Sequence, residues 1–470
     1  MRRVGVAAAL AALGWASGAR AQVVPAAPEG LAVGDWRLAP VLEARVRGEY
    51  RKDLDGVDRG ILTERARLGV DATRGAIEAR VVLQDARVWD LGTGGTFLTG
   101  PLPIAATGVY EAWGEAHTSG AHPSFLRIGR QEVTWGEGRL LGVSDWSPTG
   151  RTLDAVRGRL VTGDWGFELL AAVLETPLAL TTSGSTLPLG ATHAYGELFG
   201  ARAQWDLDPL FGVELYGLAR LAQSNPTPES LDQTVKGSTY TGALRLAGDA
   251  HGWTWAAEGA YQGGKADQVS IPPPTSGTLN GLNGQPSESR AAWATAGHVG
   301  YRFEHLALTP SVRLGGSTAS GDDGSSSRFK TFDPILPDAH TWYGAMDLLT
   351  WSNEVEANAR VSIVPWTDGL ASVEYRYLRF AQASGGWTTG YVENVTLIPN
   401  PGNTGAELGH EVDASIAWAP WAPVDLRAGY SVLALGDGAK ASATTVAPTQ
   451  GATPPSLSHF AYLQASVRIP

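Results

Sequence analysis

The chain has 470 residues, of which 36 are Lys or Arg, 47 are Asp or Glu and none is Cys, so its formal net charge is −11. This acidic balance argues against a nucleic-acid partner, and the lack of Cys excludes disulfide bonds and thiolate metal sites. The length predicts two or three ordinary domains, unless the whole chain forms one large barrel.

The N-terminus is predicted to be an export signal. Two arginines precede an apolar run over residues 4–13, which is too short to cross a bilayer as a helix. The tetrapeptide ARAQ (19–22) then offers the small-residue pattern A-x-A, with cleavage expected after residue 21. A buried N-terminal helix is the alternative. We interpret residues 1–21 as a signal peptide.

A Pro- and Ala-rich linker over residues 22–34 is followed by segments that alternate with a period of two. In WRLAPVLEARVRGEYR (36–51), Leu38 and Leu42 lie on an apolar face, whereas Arg45 and Arg47 lie on the charged face. Such alternation indicates β-strands. The same pattern returns in later segments: LTERARLGVDA (62–72), GVELYGLARLA (212–222), EVEANARVSIV (354–364) and PVDLRAGYSV (423–432).

Short and long connections alternate between the predicted strands. The short turns fall near 73–76, 118–124, 162–165, 206–212, 248–252, 303–305, 365–369 and 419–423. The long segments, rich in Gly, Ser and Pro, are 90–107, 178–193, 223–238, 264–289, 317–351, 381–404 and 434–456. Tight periplasmic turns and long extracellular loops are typical of outer-membrane barrels.

A sheet that crosses lipid must close on itself, with an apolar outer face and a lumen that can be charged. We therefore predict an all-β fold, a transmembrane antiparallel β-barrel of about 18 strands over residues 35–470, in the bacterial outer membrane. Five tryptophans beside the short turns are expected to form an aromatic girdle at the headgroups, with packing in a sandwich core as the alternative: Trp165, Trp253, Trp366, Trp418 and Trp421.

Several stretches resemble the alginate export porins of the bacterial outer membrane. They are ERARLGVDA (64–72), LQDARVWD (83–90), RIGRQEVTWGEGRLLGVSDW (127–146), GRTLDAVRGRL (150–160), SGDDGSSSRFKTFDPILPDAHTWYGAMD (320–347) and LGHEVDASIAW (408–418). The resemblance covers nearly all of the chain after the signal peptide. It implies an 18-stranded monomeric barrel with an Arg-lined constriction that passes an anionic polysaccharide.

Ten arginines are candidate pore-lining residues. By alternation, six are expected on the polar face of their strands: Arg65, Arg67, Arg127, Arg360, Arg376 and Arg427. Four others interrupt the repeating phase and are expected near barrel rims or infolded loops: Arg87, Arg130, Arg139 and Arg151. Asp85 and Asp154 are expected to orient neighbouring arginines. A guanidinium stays ionised and binds carboxylates through two hydrogen bonds, which suits an anionic substrate.

Structural pairing with acidic residues is the alternative role for these arginines, since inward-facing acids are plentiful. The predicted inward acids are Glu43, Glu49, Asp71, Glu78, Glu111, Glu115, Glu214, Glu258, Glu354, Glu356, Glu374, Glu411, Asp413 and Asp425.

No cofactor or metal is expected. Asp322 and Asp323 could serve a calcium ion, but a solvated loop is the favoured interpretation. The histidines show no metal-ligand spacing such as H-x-x-x-H.

The favoured function is a passive channel for an anionic, alginate-like uronate polymer. The expected partners are outer-membrane lipid, the polysaccharide itself and periplasmic export components. A general or substrate-specific porin for uptake of small molecules is the alternative. A barrel lipid hydrolase is the remote third option, because Ser458 and His459 are adjacent but no G-x-S-x-G motif is present.

Overall fold

The computed structural model describes residues 30–470 with gaps, and the first 29 residues, including the predicted signal peptide, lie outside the described part. The gaps fall at residues 53, 55, 92–105, 121, 176–193, 209–210, 223–236, 267–287, 391–395, 399–404, 447–453 and 470.

The chain forms one closed antiparallel barrel of 18 strands. In chain order β1 to β18 are Trp36–Lys52, Asp58–Arg74, Ile77–Asp90, Ala106–His117, Phe125–Gln131, Leu153–Thr162, Trp165–Glu175, Ala194–Asp208, Phe211–Ala222, Gly237–Ala250, Trp253–Ala266, Glu288–Arg302, Ser311–Ala319, Glu354–Ile363, Gly369–Phe380, Glu407–Trp421, Val424–Leu435 and Leu457–Ile469. The sheet closes where β1 pairs with β18, from Leu42 opposite Ile469 to Lys52 opposite His459. The predicted fold class is confirmed.

The barrel is apolar outside and charged inside. On β2, Leu68 is 63% exposed on the outer face, whereas its neighbour Arg67 is 7% exposed in the lumen. Successive side chains of a strand point to opposite faces of the sheet. The apolar residues of the alternating pattern therefore face the lipid, and the charged residues face the lumen.

The described turns and loops follow the predicted alternation. Among the described residues, short connections join the strands at 75–76, 163–164, 251–252, 303–310, 364–368 and 422–423, which form the short-turn end of the barrel together with the described part of 118–124. The predicted turn near 206–212 lies partly outside the described residues. Among the described residues, the opposite end carries the long connections 132–152 and 320–353. The predicted long segment 178–193 and most of 90–107, 223–238 and 264–289 lie outside the described residues. The long connection 132–152 is one that the sequence did not reveal.

Aromatic side chains ring the barrel at both ends. The five predicted tryptophans lie beside the short turns with exposed side chains, between 40% for Trp418 and 65% for Trp421. Near the long-loop end a second set also faces outward: Tyr50, Trp89, Tyr240, Tyr261, Trp293, Tyr375 and Tyr430. The second set was not predicted from the sequence.

Two long connections, 132–152 and 320–353, fold into the lumen and pack against each other. Leu141 forms a parallel bridge with Leu336, and the Gly142 N–H donates to the Leu336 carbonyl at 2.9 Å. Trp135 of the first loop and Trp351 of the second are fully buried. The chains approach so closely that a Cβ on Gly142 would lie 2.9 Å from Cβ of Asp338. The main apolar core is therefore inside the barrel.

Short elements complete the described chain. Helix α1 spans Ala339–Trp342 within the second infolded loop, and helix α2 spans Asp437–Val446. Leu31–Val33, within the predicted linker, is a short strand that pairs with the start of β1. Further short strands are Arg328–Phe329, Trp387–Thr389 and Thr396–Ile398. No helix among the described residues has the length and apolarity needed to cross a bilayer.

Candidate functional site

Arginines on the inner face of β1 and β2 hold the first infolded loop against the wall. Arg45 Nη1 donates to the Asp145 carbonyl at 2.6 Å, and Arg47 Nη1 donates to the Trp146 carbonyl at 2.9 Å. Arg65 Nη2 lies 2.7 Å from Asp145 Oδ1, and the same side chain pairs with Glu43 of the wall. These cations have their counter-charges and carbonyl acceptors within the protein.

Arg67 has the same structural role one level closer to the short-turn end. Its Nε donates to Gln84 Oε1 at 2.8 Å, and its guanidinium carbon lies 3.4 Å from the centre of the Tyr110 ring. Nη2 reaches the Thr149 carbonyl at 3.4 Å.

Arg376 of β15 is the centre of a buried ion-pair network. Its Nη2 lies 2.9 Å from Glu374 and its Nε 3.4 Å from Asp413, and Nη1 contacts Glu356. Nη1 also donates to the Trp342 carbonyl of the second infolded loop at 2.8 Å. Arg360 shares Glu374 at 3.3 Å.

Arg139 and Arg151 lie in the first infolded loop, as expected for residues outside the repeating phase. Arg139 Nη1 donates to the Tyr343 hydroxyl at 3.1 Å, and its guanidinium lies 4.1 Å from the Trp342 ring centre. Arg151 Nη1 donates to the carbonyls of Gly142, Leu336 and Pro337 at 2.8, 2.8 and 3.0 Å. Arg151 therefore joins the two infolded loops.

Glu137, in the same loop, shows how charge is balanced in the interior. Burial alone would raise the pKa of its carboxyl, but nearby His298, Arg139 and Arg245 hold that pKa below the usual value. Arg139 Nε and Arg245 Nη2 lie 3.5 and 3.3 Å from its oxygens.

Toward the short-turn end several guanidinium groups on the lumen face are partly exposed. Side-chain exposure there runs from 15% for Arg157 to 40% for Arg468. All members of this set lie on the inner face within about five residues of the short-turn end of their strands. We call them the arginine ring: Arg80, Arg127, Arg157, Arg245, Arg360, Arg427 and Arg468.

Each ring arginine keeps an acidic neighbour. Arg127 Nε lies 2.8 Å from Glu115 Oε2, and Arg427 Nε lies 2.7 Å from Asp425 Oδ1. Partial exposure leaves these guanidinium groups accessible to lumen water.

The sequence profile of the alginate export family matches residues 39–452. The chain belongs to the alginate export family. It is an outer-membrane β-barrel channel of Gram-negative bacteria, which makes the short-turn end periplasmic and the long-loop end extracellular.

Solved porin structures share the barrel of this family member. OccAB2 of Acinetobacter baumannii superposes with a TM-score of 0.55 at 12% identity, over 91% of this chain and 97% of that chain. OccK2 (OpdF) of Pseudomonas aeruginosa has a TM-score of 0.54 at 12% identity, over 92% and 97%. At this identity the likeness concerns the fold alone. No curated protein matches the sequence.

Two candidate pore-lining arginines of the alginate export barrel, Arg87 and Arg130, lie on its outer wall, each paired with the aspartate that was expected to orient it, Asp85 or Asp154. Arg87 pairs with Asp85 at 2.8 Å, and Arg130 Nε donates to Asp154 at 2.9 Å. The reason is strand parity. Gln84, which is 8% exposed, and fully buried Gln131 occupy the lumen face, so the residues next to them point outward.

The arginine ring contains four residues that the sequence reasoning did not name: Arg80, Arg157, Arg245 and Arg468. Parity was the available signal, since each occupies an inward position of an alternating strand. Arg157 and Arg245, for example, share their lumen faces with buried Ala155 and Ala243. Of the predicted set, the ring includes Arg127, Arg360 and Arg427.

The carboxylates of Asp322 and Asp323 are engaged by their own loop. Asp322 accepts from the backbone N–H groups of Gly324 and Lys330 at 2.6 and 2.7 Å, and Asp323 accepts from Ser325 at 3.0 Å. Among the described side chains, neither belongs to a group of three metal ligands.

Proposed function

We propose that this channel passes an anionic uronate polysaccharide by passive diffusion, with the arginine ring as its site of contact. The observation that supports the proposal is the ring itself, seven partly exposed guanidinium groups facing the lumen at its periplasmic end. Guanidinium groups bind carboxylates in a bidentate manner. A uronate polymer presents a carboxylate on every sugar, which matches a surface with repeated cationic sites.

The acidic neighbours of the ring also fit transport. Conduction needs sites that bind well enough for entry and weakly enough for exit. Arg127 pairs with Glu115 at 2.8 Å. Because binding a solute carboxylate would weaken this pair, the net affinity of Arg127 for the solute is small. Several such weak sites in succession let a polymer advance without being trapped.

A porin of similar fold provides a chemical parallel. The OccK2 (OpdF) barrel has been crystallised in complex with glucuronate, a uronate monomer, and superposes on this chain with a TM-score of 0.54. Because identity is only 11%, no residue role is transferred from it.

The alternative function is uptake of small carboxylates, and the packed infolded loops favour it. Loops 132–152 and 320–353 bury Trp135 and Trp351 inside the barrel and narrow the route. OpdK, another barrel of this fold with a TM-score of 0.53, has been crystallised with vanillate. A small solute needs less space beside the loops than a polymer does.

Single-channel recordings with uronate oligomers of increasing length test the proposal. We expect current block by the oligomers, with block lifetime rising with length, and no block by neutral oligosaccharides of the same lengths. Equal block by monomer and oligomers would support small-molecule uptake. The absence of any current block by uronates would overturn both the polysaccharide proposal and the small-carboxylate alternative.

The proposal includes no catalysis. Ser458 and His459 are sequence neighbours on β18 and therefore face opposite sides of the wall. Ser458 is buried and donates to the Lys52 carbonyl at 2.6 Å, whereas His459 Nδ1 lies 2.8 Å from the hydroxyl of outward-facing Tyr430. A Ser–His nucleophile pair cannot form in this arrangement.

A further inference from the structure

Three potential metal ligands meet on the lumen wall at the periplasmic end of the barrel. Glu78 of β3 stands directly opposite Glu115 of β4 in the strand register. His117 is two residues further along β4 and so shares the face of Glu115. One ligand atom from each of these side chains lies within 4.8 Å of the others.

The charges at this point are only partly balanced by protein side chains, because the carboxylates of Glu78 and Glu115 share the one guanidinium of Arg127. Like charges directly opposite each other on neighbouring strands are destabilising. Arg127 Nε lies 2.8 Å from Glu115 Oε2, but Glu78 makes no hydrogen bond or ion pair with a described residue. Arg80, the next cation on β3, is engaged by Asp71 and Glu111 at 3.2 and 2.8 Å. The carboxylate pair therefore keeps a net negative charge that a bound cation would neutralise.

One ring nitrogen of His117 has a backbone hydrogen-bond partner. Its Nδ1 lies 3.0 Å from the Thr118 carbonyl, which can only accept, so the neutral ring carries its proton on Nδ1 and its lone pair on Nε2. Metal-binding histidines are commonly oriented by a hydrogen bond of this kind. The backbone beneath the ring is also anchored, since the His117 N–H donates to the Ala76 carbonyl at 2.9 Å.

We propose that Glu78, Glu115 and His117 bind a divalent transition-metal ion of the zinc class. Imidazole together with carboxylates suits zinc, whereas calcium and magnesium prefer oxygen ligands alone. Glu78 and His117 are partly exposed, so an ion from the periplasm can reach the site and keep a water as a further ligand. The site shares Glu115 with Arg127 of the arginine ring. Metal binding does not require polymer transport, and the titration below tests it without a transport measurement.

Zinc titration of the folded barrel in detergent micelles, followed by calorimetry, tests this site. We expect saturable binding of Zn²⁺, weakened at least about tenfold in His117→Ala and in Glu78→Gln because each loses a ligand. His122→Ala is the matched control, since His122 is exposed on the same turn but outside the group, and it should bind like the wild type.

Cobalt supplies a second readout that does not depend on heat signals. Bound Co²⁺ should give visible absorption bands that change or disappear in His117→Ala and persist in His122→Ala. A difference in gel mobility between heated and unheated samples establishes that each variant is folded. The site would be refuted by a wild type without saturable Zn²⁺ binding, or by folded His117→Ala and Glu78→Gln proteins that bind as tightly as the control.

Discussion

The side chain of Arg376 is 3% exposed, and its charge is neutralised by acids on three strands. Removing one partner of a buried ion pair leaves uncompensated charge, and typically costs about 3–5 kcal/mol. We expect Arg376→Met to lower the free energy of unfolding by about that amount, measured by urea titration in micelles with tryptophan fluorescence.

Arg427→Met is the control for this loss. Arg427 is 29% exposed and pairs with Asp425 at 2.7 Å, so the expected loss is below about 1 kcal/mol. Equal losses in the two variants would show that burial of the Arg376 network does not stabilise the wall.

Neutralising an arginine of the lumen should change the ion selectivity of the channel, whereas neutralising an arginine of the outer wall should not. Two unit charges 4 Å apart interact with about 1 kcal/mol in bulk water. This energy changes the occupancy of an ion beside a fixed charge by about fivefold. We therefore expect Arg127→Gln to lower the anion-to-cation permeability ratio by up to about fivefold in planar bilayers.

Arg87→Gln removes the same charge from the outer wall, where Arg87 pairs with Asp85 at 2.8 Å. This variant should keep the wild-type reversal potential. A shift in Arg87→Gln as large as that in Arg127→Gln would contradict the assignment of the two residues to opposite faces.

At the scale of elements, the two infolded loops depend on Arg151, whose guanidinium joins carbonyls of both. We expect Arg151→Ala to raise amide hydrogen exchange in 132–152 and 320–353 without changing exchange in the strands, as measured by mass spectrometry. Local opening of this kind exposes backbone groups that a docked loop protects.

Arg139→Ala offers a comparison within the same loop, because Arg139 contacts the second loop through the Tyr343 hydroxyl rather than through its backbone. Its effect on exchange should be smaller. Unchanged exchange in Arg151→Ala would mean that the Leu141–Leu336 bridge and apolar packing hold the loops by themselves.

The strands were predictable because the period of two is a local property of the sequence. Arg65 and Arg67 could be assigned to the lumen from their neighbours Ala66 and Leu68 alone. The loop 132–152 could not be found in this way, since buried Trp135 and Leu141 give it the apolar content of a strand. Its docking depends on Leu336, far along the chain, which no local pattern encodes.

The barrel face of the candidate arginines was predicted correctly where the alternation was followed, and it could not be predicted where the alternation was interrupted. Arg127, Arg360 and Arg427 were placed by parity and lie in the lumen. Arg87 and Arg130 were expected near a rim or an infolded loop because they interrupt the repeating phase. The buried side chains of Gln84 and Gln131 show that both arginines occupy outward positions of their strands. How far each lumen arginine is exposed depends on the loops, so the arginine ring could not be separated from the buried network.

For the whole molecule, net charge and pore charge are different quantities. The chain carries −11 overall, yet the lumen near its periplasmic end presents partly exposed guanidinium groups. Many of the acids that produce the net charge are buried partners of arginines, such as Glu43 and Glu374. The electrostatic potential in this part of the lumen therefore depends on the exposed guanidinium groups and not on the net charge of the whole chain.

Ionic strength should separate the two populations of ion pairs. The Debye length is about 10 Å at 0.1 M salt and about 3 Å at 1 M, and screening acts mainly on charges in contact with water. Raising the salt over this range should reduce the anion selectivity of the open channel and shorten uronate block. The buried pairs around Arg376 should be unaffected, so the unfolding midpoint in urea should stay nearly constant. If selectivity persisted at 1 M salt, the discrimination would have to come from the width of the lumen beside the infolded loops, and the arginine ring would not be the contact site for the polymer.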